Sequence, residues 1–102
     1  MRKIEVLLNG LTAGELYEHA RDNYTFTYCD GYGGSPISRT MPVRQKDFHY
    51  DHFPSFFDGL LPEGQQLNYL LKSKKIDEHD YFSQLLEIGD DFVGAISIKE
   101  IN

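Results

Sequence analysis

Tryptophan is missing from this 102-residue chain, and cysteine occurs only once, as Cys29. One thiol excludes an internal disulfide and any multi-cysteine zinc site, and it fits a reducing compartment such as the cytoplasm. Long apolar runs are missing as well. None approaches the ~18 residues of a membrane-spanning helix, and Met1-Arg2-Lys3-Ile4 leads into a strand-like pattern where a secretion signal would carry an apolar stretch. Positive charge is scarce: 10 Lys and Arg stand against 16 Asp and Glu, for a formal net charge of −6. Affinity for a phosphate backbone comes largely from cationic neutralisation, so direct nucleic-acid binding is disfavoured and a basic protein face matches this surface better. No internal repeat or low-complexity tract interrupts the chain.

Aromatics are what the chain has. The 7 Tyr and 7 Phe make up 14% of it and hydrophobic residues 40%, the composition of a folded globule rather than of a disordered segment. A chain of this length forms one modest core that buries a little over roughly 60% of its unfolded surface. The expected organisation is one domain over residues 1–102, marginally stable alone and open to stabilisation by a partner.

Punctuation divides the chain into a strand-rich first half and a helix-rich second half closed by a strand. Ile4-Glu5-Val6-Leu7-Leu8 is strand-like, Asn9-Gly10 is a strong hairpin signal, and Leu11 to Tyr17 returns as the partner. After the polar break Arg21-Asp22-Asn23, alternation in Tyr24-Thr25-Phe26-Thr27-Tyr28 places three aromatics on one face and two threonines on the other. A three-stranded meander follows. Asp30 to Pro36 reads as a flexible glycine-rich loop, and Ile37 to Val43 as a short edge strand, where Pro42 is tolerated. A first helix is expected through Phe53-Pro54-Ser55-Phe56-Phe57-Asp58, with Asp51 as cap and Gly59 as stop. A second starts near Pro62-Glu63, carries Leu67, Leu70 and Leu71 on one face, and closes on Lys72, Lys74 and Lys75, which suit the negative end of the helix dipole. A third spans Asp80 to Ile88 with Asp77 or Asp80 as cap, Phe82, Leu85 and Leu86 inward and Gly89 as stop. Phe92 to Ile98 reads as a final buried strand after a turn at Asp90-Asp91. The predicted class is α+β: a small antiparallel sheet, meander plus C-terminal strand, with about three helices in the second half. Phe57 is expected beneath the sheet with Leu70 and Leu86.

Each chemical constellation competes with a plainer reading. His49-Tyr50-Asp51-His52 offers two imidazoles and a carboxylate, but histidines three apart without a further fixed ligand make a poor metal site. Gly31-Tyr32-Gly33-Gly34-Ser35 is followed by Pro36 and Ile37 in place of the Lys-Ser/Thr and helix that a phosphate loop needs. His79-Asp80 has neither the downstream Asn nor the separate metal-binding Asp of a kinase catalytic loop. Cys29 adjoins Asp30, which does not lower a thiol pKa, and Asp90-Asp91 lies outside any pocket pattern that would make an acid–base pair. No catalytic residue, cofactor or metal ligand is assigned, and the chain is not expected to be an enzyme.

The most informative stretch is Phe56-Phe57-Asp58-Gly59-Leu60-Leu61-Pro62-Glu63-Gly64, where an aromatic helix end, a glycine stop and a proline restart follow without spacing. With Val6-Leu7-Leu8-Asn9-Gly10 and Asp91-Phe92-Val93-Gly94-Ala95-Ile96, it resembles the N-terminal subdomain of the HipA family of toxin–antitoxin kinases. The resemblance covers nearly the whole chain, is carried by the corner and by Val93-Gly94-Ala95, and is thin between Cys29 and Thr40.

That resemblance implies a cytoplasmic partner protein. In HipA-like kinases such a subdomain packs on the N-lobe of the kinase body. Some operons encode it separately as HipS, beside a shortened kinase, HipT, and a DNA-binding HipB. The chain is similar to such a HipS, which implies an antitoxin that binds and neutralises a HipT-like serine/threonine kinase, in a complex where HipB touches DNA and no membrane is involved. The family implies an aminoacyl-tRNA synthetase as the kinase's target. An alternative stays open: a non-catalytic subunit that completes and supports the kinase fold. A fragment of a longer HipA is a third reading, opposed by the initial Met and by an end soon after a strand-like stretch. Phe56, Phe57, Leu60 and Leu61 are expected core. Pro62, Glu63, Gly64, Gln65 and Gln66, polar or turn-forming at a helix junction, are the expected kinase-binding surface.

Overall fold

The computed structural model describes residues 1–89 and 95–101. The expected hairpin is formed by β1 (Arg2–Leu8) and β2 (Leu11–Ala20). Its two-residue turn has Asn9 at φ 54 and Gly10 at φ 81. Two successive left-handed residues match the twist of a tight hairpin, which is why Asn-Gly is favoured there. β2 outruns the expected Tyr17, turns through Arg21 and Asp22, and pairs with β3 (Asn23–Tyr28). β4 (Asp47–Tyr50) and β5 (Ile96–Glu100) complete a five-stranded antiparallel sheet in the order β4-β3-β2-β1-β5.

Three helices connect β4 to β5: α1 (Ser55–Asp58), α2 (Gly64–Lys74) and α3 (Tyr81–Glu87). Residues facing the helices make the core: Ile4, Val6, Leu16, Phe26 and Tyr28 from the sheet meet Phe57, Phe82 and Leu85. Gly14 is required in this layer. A Cβ there would strike the Thr27 carbonyl and come within 2.8 Å of the Phe26 ring. The fold class is α+β as predicted, and the face alternation of β3 holds in that Tyr24, Phe26 and Tyr28 are buried on the core side.

Some local expectations are corrected. The edge strand is β4, whereas Ile37 to Val43 contributes only an isolated bridge between Ser38 and Met41. The Met41 N–H bonds back to the Ser38 carbonyl at 3.1 Å, so this segment turns on itself instead of running on as a strand, and it buries Ile37 and Met41 in the core. Asp51 does not cap α1; it bonds His52 at 2.7 Å, and Pro54 holds the N-cap position without any side-chain cap. Gly59 does end α1 as its C-cap, in the right-handed conformation at φ −64, and two overlapping turns then carry the chain to Leu61, closed by Leu60 N–H to the Phe57 carbonyl and Leu61 N–H to the Asp58 carbonyl. Pro62 has no N–H to extend those turns. α2 therefore begins at Gly64, after an extended Glu63.

The largest correction concerns α2. None of its residues is buried, and Leu67, Leu70 and Leu71 are half-buried outside the main cluster. Phe57 is fully buried as expected, but its ring neighbours are Phe26 at 6.0 Å, Phe53 at 6.5 Å and Phe56 at 5.1 Å. α1 gives Phe57 to the core, α3 gives Phe82 and Leu85, and α2 spans between them at the margin. Asp80 caps α3, its carboxylate accepting from the Ser83 N–H. Gly89 has a packing role: a Cβ there would lie 3.0 Å from the Ile98 carbonyl. The strand expected from Phe92 is described from Ile96 onward; Asp90, Asp91 and its first three residues lie outside the described residues.

Candidate functional site

The corner between α1 and α2 gathers the expected partner-binding residues into one turn. Pro62 is half-buried against the protein, and Glu63, Gly64, Gln65 and Gln66 are exposed. Gly64 holds φ +60 with open space where a Cβ would stand, so backbone conformation, not packing, calls for glycine. No side chain caps α2, and the first backbone N–H groups of the helix face solvent without side-chain acceptors. At the other end Lys75 adopts the left-handed conformation, its N–H bonding to the Leu71 carbonyl, and Lys74 pairs with Glu87 at 3.2 Å.

The other constellations do not converge. His49 and His52 point to different partners: His49 Nδ1 lies 3.1 Å from the Thr25 hydroxyl, and His52 Nδ1 2.7 Å from Asp51. The His79 ring meets Glu78 and the edge of Tyr81, while Asp80 is held by Arg2 and Ser83. Among the described residues, no group of three His, Cys, Asp or Glu side chains has metal-binding geometry. The Cys29 thiol is half-buried; burial pushes its pKa up, and Glu15, Glu5 and Asp30 push it further, which opposes nucleophilic use.

The loop after β3 is more ordered than its glycines implied. Tyr28, buried in the core, accepts a hydrogen bond from the Ile37 N–H at 3.1 Å and donates one to the Met41 carbonyl. Tyr32 lies face to face on Tyr28 at 5.7 Å and donates to the Ser35 carbonyl. One surface depression, of about 610 Å³, is lined by Asp22, Asn23, His49, Tyr50, Asp51 and His52.

Three arrangements had no sequence signal. Arg2 donates to Glu18 at 2.8 Å, to Ser83 at 2.8 Å and to Asp80 at 2.7 Å, tying β1 and β2 to the start of α3. The Thr25 hydroxyl sits between His19 and His49, each on a different strand. Gln84 is buried because its amide donates to the Asp77 and Glu78 carbonyls, closing the turn before α3.

The family model of the HipA N-terminal domain matches residues 4–99. The chain belongs to this family. A solved structure, the N-terminal domain of HipA toxin, superposes with a TM-score of 0.79 at 32% identity, over 100% of this chain and 94% of that one. An uncharacterized protein of Haemophilus influenzae is 36% identical over 98% of this chain and 93% of its own length. The serine/threonine-protein kinase toxin HipA of Shewanella oneidensis is 30% identical over 92% of this chain, which spans only 22% of that kinase. The HipA N-terminal domain thus occurs both in a protein of about this length and as one part of a kinase. No helix among the described residues is long and apolar enough to cross a membrane.

Proposed function

We propose that this chain, acting as one HipA N-terminal unit over residues 1–102, is a HipS-like cytoplasmic antitoxin that binds a HipT-like kinase and neutralises it through Pro62, Glu63, Gly64, Gln65 and Gln66. The observation that carries the reading is the corner itself: four of its five residues are exposed, and the start of α2 has no side-chain cap. The Shewanella relative, where the domain forms 22% of a kinase chain, makes a kinase body the natural neighbour. Such a turn wedges into a cleft or holds a mobile loop, and either blocks the closure that phosphoryl transfer needs. The chain supplies no catalytic group, and a HipB-like protein, not this acidic chain, makes the DNA contacts.

The test is a growth-rescue assay beside a pull-down with a HipT-like kinase. Coexpression should relieve kinase-induced arrest, and alanine at Glu63, Gln65 and Gln66 together should weaken both rescue and capture. Equal rescue and capture by the triple variant removes the corner from the mechanism. The presence of the domain inside a kinase chain also favours a second reading, a subunit that completes the kinase. That reading replaces the first if the parent chain raises phosphorylation and gives no rescue.

A further inference from the structure

Tyr69 is 76% exposed, while every other tyrosine and phenylalanine among the described residues is buried or half-buried. It stands on α2, the helix that sends no side chain fully into the core. At 3.6 residues per turn, Leu67, Leu70 and Leu71 share the half-buried side of α2, and Gln65, Tyr69 and Lys72 share the opposite side. The tyrosine thus continues, one turn further along, the surface that begins at the corner.

We propose that Tyr69 is the aromatic anchor of the kinase interface, seated in an apolar pocket of the kinase body whose rim is acidic. This rests on the reading that a HipA-type kinase is the partner. Tyrosine suits the role because it brings a large apolar ring with a polar tip and loses little rotamer freedom, and it is enriched among interface hot spots. The charge of the rim follows from the neighbours. Lys74 is neutralised by Glu87, whereas Lys72, on the side of Tyr69, and Lys75, just past the helix, have no ion pair among the described residues, so the C-terminal end of α2 is locally cationic on a chain of net charge −6. A helix of 11 residues with only a half-buried apolar side is marginal in water, and docking its outer side would complete its packing.

The probe is a full-length HipT-like kinase, titrated with the full chain and followed by amide hydrogen exchange. Tyr69→Ala should raise Kd at least tenfold with an unchanged melting midpoint. Tyr69→Phe should keep most of the affinity, and Leu11→Ala, exposed on the far hairpin, should keep all of it. Amides of residues 65–73 should exchange fast in the free chain and slow in the complex. A parental Kd for Tyr69→Ala, or unprotected α2 amides in a complex that does form, overturns the anchor; if the corner triple variant is weakened at the same time, the functional reading stands without it. If the parent chain does not associate with the kinase, the functional reading and the anchor fall together.

Discussion

The Arg2 guanidinium and the Asp80 carboxylate, 78 residues apart in the chain, meet at 2.7 Å. Arg2 also lies 5.1 Å above the Phe82 ring, so one side chain fixes the orientation of α3 against the sheet. Burial pushes the Asp80 carboxyl up, but hydrogen bonds from Arg2 and from the Ser83 hydroxyl and N–H outweigh it and hold it below the usual carboxylate range. A depressed folded value means that this stability is present above the unfolded value, about 3.9, and is lost as pH falls through the folded one. Asp80→Asn keeps a capping oxygen and removes the charge; it should cost about 0.5–1 kcal/mol at pH 7. Urea melts from pH 7 to 2 should show the parent losing this margin in acid while the variant's profile is flatter.

Phe57 is fully buried and Leu67 only half-buried, although both are apolar residues of expected helices. Phe57→Ala should cost about 3–5 kcal/mol. In a domain with roughly 5–10 kcal/mol in total, much of the population would unfold near body temperature. Leu67→Ala should cost less, about 1–2 kcal/mol, because part of the side chain is already in water. Denaturant melts of the pair decide it, and equal costs would place α2 in the core.

That contrast marks where the sequence is legible. Asn9-Gly10 fixes its hairpin because two consecutive left-handed residues are a local requirement. The alternation from Tyr24 to Tyr28 reports its buried face for the same reason, and Asp80 caps α3 within its own first turn. Periodicity shows which side of α2 is apolar and is silent on what covers it. β4 was hidden because Asp47 and His49, polar residues of its outer side, make the segment read as chemistry instead of as an edge strand. The Arg2 cluster and the Thr25 bridge join residues from separate strands and helices, so no local window contains them. At the corner, the five residues were legible as a turn, whereas the exposure of Tyr69 depends on where α2 lies.

Tyr24 gives a test at the alkaline end. Burial first, then the Glu18 and Asp22 carboxylates, push its phenol up to about 12. A raised folded value means stability is complete below the unfolded value, about 10, and is lost as pH rises through 12 at about 1.4 kcal/mol per unit. Tyr24→Phe should flatten the stability profile between pH 10 and 12, read by urea melts. A profile as steep as the parent's would assign the alkaline loss to the other tyrosines.

Gly14→Ala should cost about 1–3 kcal/mol, because the added methyl meets the Thr27 carbonyl and the Phe26 ring of the neighbouring strand. Gly33→Ala is the control, since nothing lies within 4 Å of its Cβ position. Thermal melts should separate them by several degrees; coincident midpoints would show that β2 and β3 can part locally without cost.

Tyr28→Phe isolates the device that pins the loop between β3 and β4. The phenol both accepts from the Ile37 N–H and donates to the Met41 carbonyl, so its removal leaves a buried donor and a buried acceptor unpaired while the ring still fills its place. Losing one partner of a buried hydrogen bond costs about 1–3 kcal/mol. The cost falls on the loop because Ile37 and Met41 are its two buried contacts with the core, and freeing them lets residues 31–46 leave the surface. Limited trypsin digestion should therefore cut after Arg39 and Arg44 several-fold faster in the variant, at a temperature where circular dichroism shows the sheet intact. Equal cleavage rates would mean that Ile37 and Met41 hold the loop by apolar burial alone.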